Sequence, residues 1–259
     1  MSHTLQPLGI NRGAYRGETI RIDAVLARIN ERASMMAWDS ETFYRNGPAS
    51  LVAIRSRALP GAKRVYISAG IHGDEPAGPL AARLLMEDNS WPRHIEVFLL
   101  PCLNPGGFGQ NRRENLQGTD LNRDYRHLKT PEVRAHCDWL VRQPFFDVTL
   151  CLHEDWESRG FYLYELNPDS QPSLSETIVR AVESVCPIDR SEVIEDRPAS
   201  NGIIRADFDP ASRPQWPESF YLIQKKTRLS YTLEAPSDFP LEVRVEALVA
   251  GVRAVLDSL

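Results

Sequence analysis

Apolar residues in this chain recur with two periods, about 3.6 and 2 residues, and the alternation between them predicts helices interleaved with strands. Ile22, Val25, Leu26 and Ile29 share one face of a helix over residues 18–32, with charged residues on the other side. Residues 51–55 and 64–69 read as strands separated by a turn at Leu59, Pro60 and Gly61, and are expected to pair as neighbours. Strong helix formers fill 79–86 and β character returns at 95–100, giving a strand, helix, strand unit. Thr130 ahead of Pro131 is a capping residue before a proline at the first helical position, so a helix is predicted to run to about Arg142. It leads into an apolar strand at 148–153. Residues 173–185 read as helix and 229–234 as strand, while Leu241, Val245, Leu248, Val249, Val252 and Leu259 trace one face of a closing helix. Between 194 and 217, Pro, Gly, Asp and Ser are dense enough to predict loops that wrap a site. No repeat or low-complexity segment offers a linker, so residues 1–259 are expected to form a single α/β domain.

Two of these strands end on residues that can bind a metal. His72 and Glu75 sit in one turn directly after the 64–69 strand, and His153 closes the 148–153 strand. Carboxyl ends of strands are where open α/β sheets place their working side chains. Two His and one Glu form a three-ligand set that leaves zinc an open position for water, whose pKa then falls to about 7. Glu234, ending the 229–234 strand, is the candidate general base.

Composition narrows the function further. With 42% hydrophobic residues in 259, the chain can bury a substantial core. A formal charge of −5 and thirty scattered Lys and Arg leave no basic field for nucleic acid. The first residues carry no basic start followed by an apolar run, and no stretch is long enough to span a membrane, so the expected location is the cytoplasm. Cys102, Cys137, Cys151 and Cys186 lie far apart with no Cys-x-x-Cys pair, which predicts buried reduced thiols.

The motifs taken together resemble those of the M14 zinc carboxypeptidases. Five collinear blocks between about residue 64 and residue 235 carry the resemblance: His72-x-x-Glu75, Asn104-Pro105-Gly106-Gly107, the segment Arg113 to Arg123 with its Gly-x-Asp-Leu-Asn-Arg core, His153, and Glu234. The resemblance implies a mixed, mostly parallel sheet flanked by helices and one Zn2+ per chain held by His72, Glu75 and His153. It also implies Glu234 and Arg113 as catalytic residues, with Arg113 polarising the scissile carbonyl. Asn122 and Arg123 would hold the free carboxylate of a peptide substrate, making the enzyme an exopeptidase. The nine-residue step from Arg113 to Asn122 favours a metallocarboxypeptidase. Succinylglutamate desuccinylases and aspartoacylases share much of this pattern, so a zinc deacylase acting on N-acyl amino acids is the alternative. A silent binding domain is the third reading, and the intact residue set argues against it.

Several residues keep two readings at this stage. Asp74 and Glu154 flank ligands and are either acceptors for imidazole protons or exposed loop acids. Arg112 and Arg126 read as a solvated basic loop. Tyr231 lies three residues before Glu234 on the same strand and so points to the opposite face, into the core, while Tyr221 stays an open candidate for the substrate site. The aromatic stretch 156–165 is read as sheet packing, and the specificity pocket is expected within 194–221.

Overall fold

Residues 148–153 are apolar at nearly every position because their strand is covered on both faces, as parallel strands are. The computed structural model describes residues 5–11, 15, 17–47, 49–206 and 209–259. Its elements in chain order are α1 (Ile22–Met35), β1 (Asp39–Asn46), β2 (Ala49–Arg55), β3 (Lys63–Ala69), α2 (Ala77–Asp88), β4 (Ile95–Leu100), α3 (Pro105–Phe108), α4 (Pro131–Arg142), β5 (Val148–Asp155), β6 (Tyr162–Leu166), α5 (Ser175–Val182), β7 (Val193–Ile194), β8 (Arg197–Pro198), β9 (Ile203–Arg205), α6 (Glu218–Lys225), β10 (Ser230–Pro236) and α7 (Leu241–Leu256).

Eight strands form one sheet in the order β1-β2-β4-β3-β5-β10-β6-β9. Its centre is parallel, with β4, β3, β5 and β10 aligned, and antiparallel pairs join β1 to β2, β2 to β4, and β6 to β10. The predicted α/β class with a mixed, mostly parallel sheet is what the chain adopts. One face carries Ile67, Leu99, Leu150 and Leu233 against the helices α1, α2, α5 and α7. The other carries Tyr66, Phe98 and Cys151 against α4 and Leu222 of α6.

The expected pairing of the 51–55 strand with the 64–69 strand is wrong. β4 lies between them, because the β3-α2-β4 crossover returns the chain beside β3 and leaves β2 to pair with β4 through Ile54 and Leu99. β1 went unpredicted for a different reason: it is an edge strand with mostly exposed side chains, so it has no buried face to impose an apolar alternation. Thr130 precedes α4 without capping it. Its N–H and hydroxyl both donate to Asp124 Oδ2, at 2.6 and 2.8 Å.

Chain direction creates the site. From β3 the chain moves to β4 over one face through α2, then passes to β5 on the other side of β3 through α4 on the opposite face. The two connections part at the carboxyl ends of β3 and β5, the switch point where open α/β sheets bind ligands.

Candidate metal and substrate site

The turn after β3 brings His72 and Glu75 into that crevice, and the end of β5 brings His153. All three are buried, with ligand atoms within 4.8 Å of one another. Glu75 Oε1 lies 2.6 Å from His72 Nδ1 and Oε2 lies 3.1 Å from His153 Nδ1, while the two imidazole centroids are 4.9 Å apart. Burial alone would raise the Glu75 carboxyl, yet the two histidines hold it well below the usual range. Convergent buried lone pairs on two neutral-capable nitrogens and a carboxylate are the donor set of a borderline-soft divalent cation, so these residues fit a metal of the zinc class.

Backbone packing fixes the turn. A Cβ on Gly73 would stand 2.2 Å from the Gly107 carbonyl carbon, so the two glycines let the metal turn and the Asn104-Pro105-Gly106-Gly107 turn touch. Asn104 Oδ1 caps α3 by accepting from Gly107 N at 3.0 Å, and its Nδ2 donates to the Arg113 carbonyl at 3.2 Å. The glycine-rich turn therefore sets where Arg113 begins its loop.

That loop explains the nine-residue step. Asn115 Oδ1 accepts from Gln117 N and Thr119 N, and Gly118 takes φ +78, so the chain doubles back. Asp120 then meets Arg113: Oδ2 accepts from Arg113 Nε at 2.8 Å and Oδ1 accepts from Asn122 N at 2.8 Å. Asp120 Oδ1 also faces His72 Nε2 at 3.4 Å. His72 and Arg113 keep the Asp120 carboxyl ionised well below its ordinary range against the opposing effect of burial. Arg113 Nη1 approaches Glu75 Oε1 at 3.5 Å, with its side chain 38% exposed to the cavity.

Sheet register places the other carboxylate. Glu234 on β10 is paired in parallel with His153 on β5, so both side chains leave the same face one strand spacing apart. Burial, with the charges of Glu75 and Asp155, pushes the Glu234 carboxyl well above its usual range. Tyr231 points the other way, fully buried in the core, where its hydroxyl accepts from Leu174 N at 2.7 Å. A cavity of about 680 Å³ joins His72, His153, Glu234, Arg113, Asn122 and Arg123, so every sequence-selected site residue opens on one space or bounds it.

Other candidates fell differently. Glu154 is buried and accepts from Ala77 N, Ser237 and the fully buried Arg244, so it braces the β5 end and touches no imidazole. Asp74 lines the cavity with its carboxyl raised to about 6 by burial and by Glu75. The carboxylate facing an imidazole is instead Asp120, quoted in the motif but given no role. Arg112 donates to the Asn115 carbonyl, and Arg126 donates to the Arg213 carbonyl and stacks on Trp216. Tyr221 packs on Tyr125 at 6.0 Å, away from the residues that line the cavity. Tyr162 and Tyr164 do line it, so the aromatic stretch serves both sheet and site. All four cysteines are buried and free.

One buried cluster had no sequence signal. Glu218, at the start of α6, donates its N–H to Asn122 Oδ1 at 2.8 Å. Its carboxyl accepts from Tyr66 Oη at 2.6 Å and Ser68 Oγ at 2.9 Å. His136 lies between the Tyr66 and Tyr125 hydroxyls at 3.0 and 2.7 Å. A donor at Asn122 Oδ1 fixes the amide so that its NH2 end is the one left for the cavity.

The chain's likeness to known proteins agrees with this geometry. Residues 61–185 match the succinylglutamate desuccinylase/aspartoacylase catalytic domain. Carboxypeptidase SOL1 of Arabidopsis thaliana is 30% identical over 107 residues, 32% of this chain and 21% of the plant protein. Carboxypeptidase D of Mus musculus is 31% identical over 125 residues, 34% of this chain and 9% of the mouse protein. The chain thus spans about a fifth of one relative's length and under a tenth of the other's. A candidate metallopeptidase from Shewanella baltica OS155 superposes with a TM-score of 0.80 at 24% identity, covering 92% of each chain, and so shares the fold. The chain is thus similar to metallocarboxypeptidases in sequence and fold, with a catalytic-domain likeness to the desuccinylase and aspartoacylase branch.

Proposed function

We propose that the chain is a zinc-dependent metallocarboxypeptidase that hydrolyses the C-terminal amide bond of peptides, with residues 1–259 acting as one catalytic domain. The observation that carries this reading is the convergence of buried His72, Glu75 and His153 beside Glu234, on a cavity shared with Arg113, Asn122 and Arg123. One Zn2+ held by the three ligands would supply Lewis acidity and lower the pKa of a water molecule. Glu234, one strand spacing from His153 on the same face of the sheet, takes the proton from the attacking water and returns it to the leaving nitrogen. Arg113, oriented by Asp120, faces the cavity with its guanidinium and stabilises the oxygen that gains charge as the carbonyl becomes tetrahedral. The Asn122 NH2 and the Arg123 fork receive the free carboxylate. The four unpaired buried cysteines suit a reducing compartment, and we place the enzyme in the cytoplasm. Among the described residues, no helix is long and apolar enough to cross a membrane.

C-terminal amidation tests the reading. It removes the charge that Arg123 would pair with, at a cost of about 2–5 kcal/mol of transition-state binding. Arg123→Ala should then slow free-carboxylate peptides far more than amidated ones, since both changes delete one interaction. Equal wild-type kcat/KM on free and amidated peptides would exclude the carboxypeptidase. The match of residues 61–185 to the desuccinylase/aspartoacylase domain supports a second reading, a deacylase of N-acyl amino acids. Turnover of N-acetyl or N-succinyl amino acids alone, with peptides ignored, would select it.

A further inference from the structure

We infer that Glu218 is a positioning residue for the substrate's carboxylate, acting through Asn122 as the hub of a closed circuit of buried hydrogen bonds. The inference rests on the free-carboxylate reading of Asn122 and Arg123. The circuit leaves the turn Leu121–Arg123 at Asn122 and returns at Tyr125, and all its members are buried. Asn122 Oδ1 accepts from Glu218 N at 2.8 Å, and the Glu218 carboxylate accepts from Tyr66 Oη at 2.6 Å. Tyr66 Oη lies 3.0 Å from His136 Nε2, and His136 Nδ1 lies 2.7 Å from the Tyr125 hydroxyl. The main chain closes the same circuit, since Tyr125 N donates to the carbonyl of Trp216, two residues before Glu218, at 3.3 Å.

One arrangement of protons satisfies every member. Tyr66 gives its proton to Glu218, so its oxygen accepts from His136 Nε2–H, and His136 Nδ1 is left to accept from Tyr125. Burial keeps the imidazole neutral, as both parts require. Every side-chain donor thus points towards Glu218, whose second oxygen receives Ser68 Oγ at 2.9 Å, and bonds aligned head to tail strengthen one another. Tyr66 and Ser68 belong to β3, the strand that leads into His72 and Glu75. The circuit therefore refers Asn122 to the strand that carries the metal turn. The Asn122 N–H is taken separately by Asp120 Oδ1 at 2.8 Å, so backbone and side chain are both fixed and the NH2 group has one direction left. A peptide carboxylate held there stands at a set distance from the metal ligands, which is what selects a C-terminal bond for cleavage. Were Glu218 a brace for the fold alone, its loss would slow free and amidated peptides alike.

The quantity to measure is therefore a ratio, kcat/KM on a free peptide over kcat/KM on its C-terminal amide. Zinc-loaded enzyme is assayed on whichever of benzoyl-Gly-Leu, benzoyl-Gly-Lys and benzoyl-Gly-Glu it cuts fastest, and on the same peptide amidated. Glu218→Ala should lower the ratio about tenfold or more, because the buried Tyr66 and Ser68 hydroxyls lose their acceptor and the start of α6 loses its anchor. Tyr125→Phe deletes one neutral hydrogen bond at the far end of the circuit and should lower it about threefold. Glu218→Gln keeps an acceptor for Tyr66 and a polar partner for Ser68, so it should restore the ratio to within about twofold of the wild type. In an Asn122→Ala background, Glu218→Ala should lower the ratio no further, since it acts through an amide already deleted. Each ratio is measured within one preparation, so any loss of folded protein cancels, and Tyr125→Phe carries the same test if Glu218→Ala does not fold. A ratio unmoved by Glu218→Ala, or a fall that is undiminished in the Asn122→Ala background, overturns the inference and leaves the carboxypeptidase standing. Equal wild-type rates on free and amidated peptides instead remove the carboxypeptidase reading, and the inference falls with it.

Discussion

The two walls of the cavity are built by different means. On the metal wall, each functional atom is fixed by sheet register and by buried bonds: Glu75 engages His72, His153 and Glu154 N, while Asp120 engages Arg113 and Asn122 N. On the wall proposed for recognition, residues 193–205 contribute strands of two or three residues, and Glu195, Asp196 and Asn201 adopt positive φ. The difference separates two kinds of requirement. Chemistry needs atoms held within a fraction of an ångström, which strand ends and short turns provide, whereas choice of substrate needs only charges presented at a rim. Substitutions on the first wall should abolish turnover, and substitutions on the second should redirect it.

The most severe test of that division is at the ligands. His72→Ala or His153→Ala should leave the fold intact, lose bound zinc in metal analysis and bring hydrolysis to background, because two remaining ligands hold the ion poorly. Full zinc occupancy in both variants would place the metal elsewhere. Next in size is Glu234→Gln, an isosteric change in the same wall. Zinc should be retained while kcat falls by about two to four orders of magnitude, as for removal of a general base. Near-normal turnover would move that role to another residue.

Much of the metal wall was legible because its signals are local. A His near a strand's carboxyl end, His72 and Glu75 in one turn after a strand, and the nine-residue step from Arg113 to Asn122 each need only nearby sequence, whereas the close approach of Gly73 to Gly107 and the Arg113–Asp120 bond are made by the fold. The central strands were legible for the same reason, since burial on both faces enforces continuous apolar runs. The β2 partner was not, because pairing depends on which strand a crossover returns beside. Nor was the role of Glu218: its partners Tyr66 and Ser68 lie about 150 positions away, and a glutamate at the start of a short helix looks like any first-turn acid. Arg197 and Arg213, which also line the cavity, escaped notice because loops lack a period that says which side chains face inward.

Glu218 joins the two walls, and pH should reveal it. Burial raises its carboxyl to about 7, against the lowering effect of its Tyr66 and Ser68 hydrogen bonds. A group whose folded pKa lies above its unfolded value of about 4.5 stabilises the fold fully below that unfolded value and loses the contribution as pH rises through the folded one. Glutamine mimics the protonated form, so the stability of the wild type relative to Glu218→Gln should be constant below about pH 4.5 and decline by about 3 kcal/mol up to about pH 7. Urea melts of both proteins at pH 4, 5.5 and 7.5 measure this directly. His136 works in the opposite sense: burial lowers it to about 3, so its contribution is lost as pH falls below about 6.5, equally in both proteins. A parallel pH dependence in the two would mean that the buried Glu218 carboxyl is not strained by its site.

The smallest expected effect concerns Asp120, where the two walls meet on the metal side. Its Oδ1 faces His72 Nε2 at 3.4 Å and receives Asn122 N, while Oδ2 receives Arg113 Nε. Asp120→Asn keeps the shape and an acceptor for the loop, yet removes the negative charge that favours a proton on Nε2 and so directs the Nδ1 lone pair to the metal. Zinc affinity measured by chelator competition should fall by about 10–100-fold, the usual cost of losing an orienting partner behind a metal-binding histidine. Arg113 loses its counter-charge in the same step, so kcat measured at saturating zinc should fall as well, separately from metal affinity. Restoring full activity by zinc alone would confine Asp120 to orienting His72. Unchanged affinity with a lower kcat would instead assign it to Arg113, and no change in either would reduce it to a brace for the loop that carries Asn122.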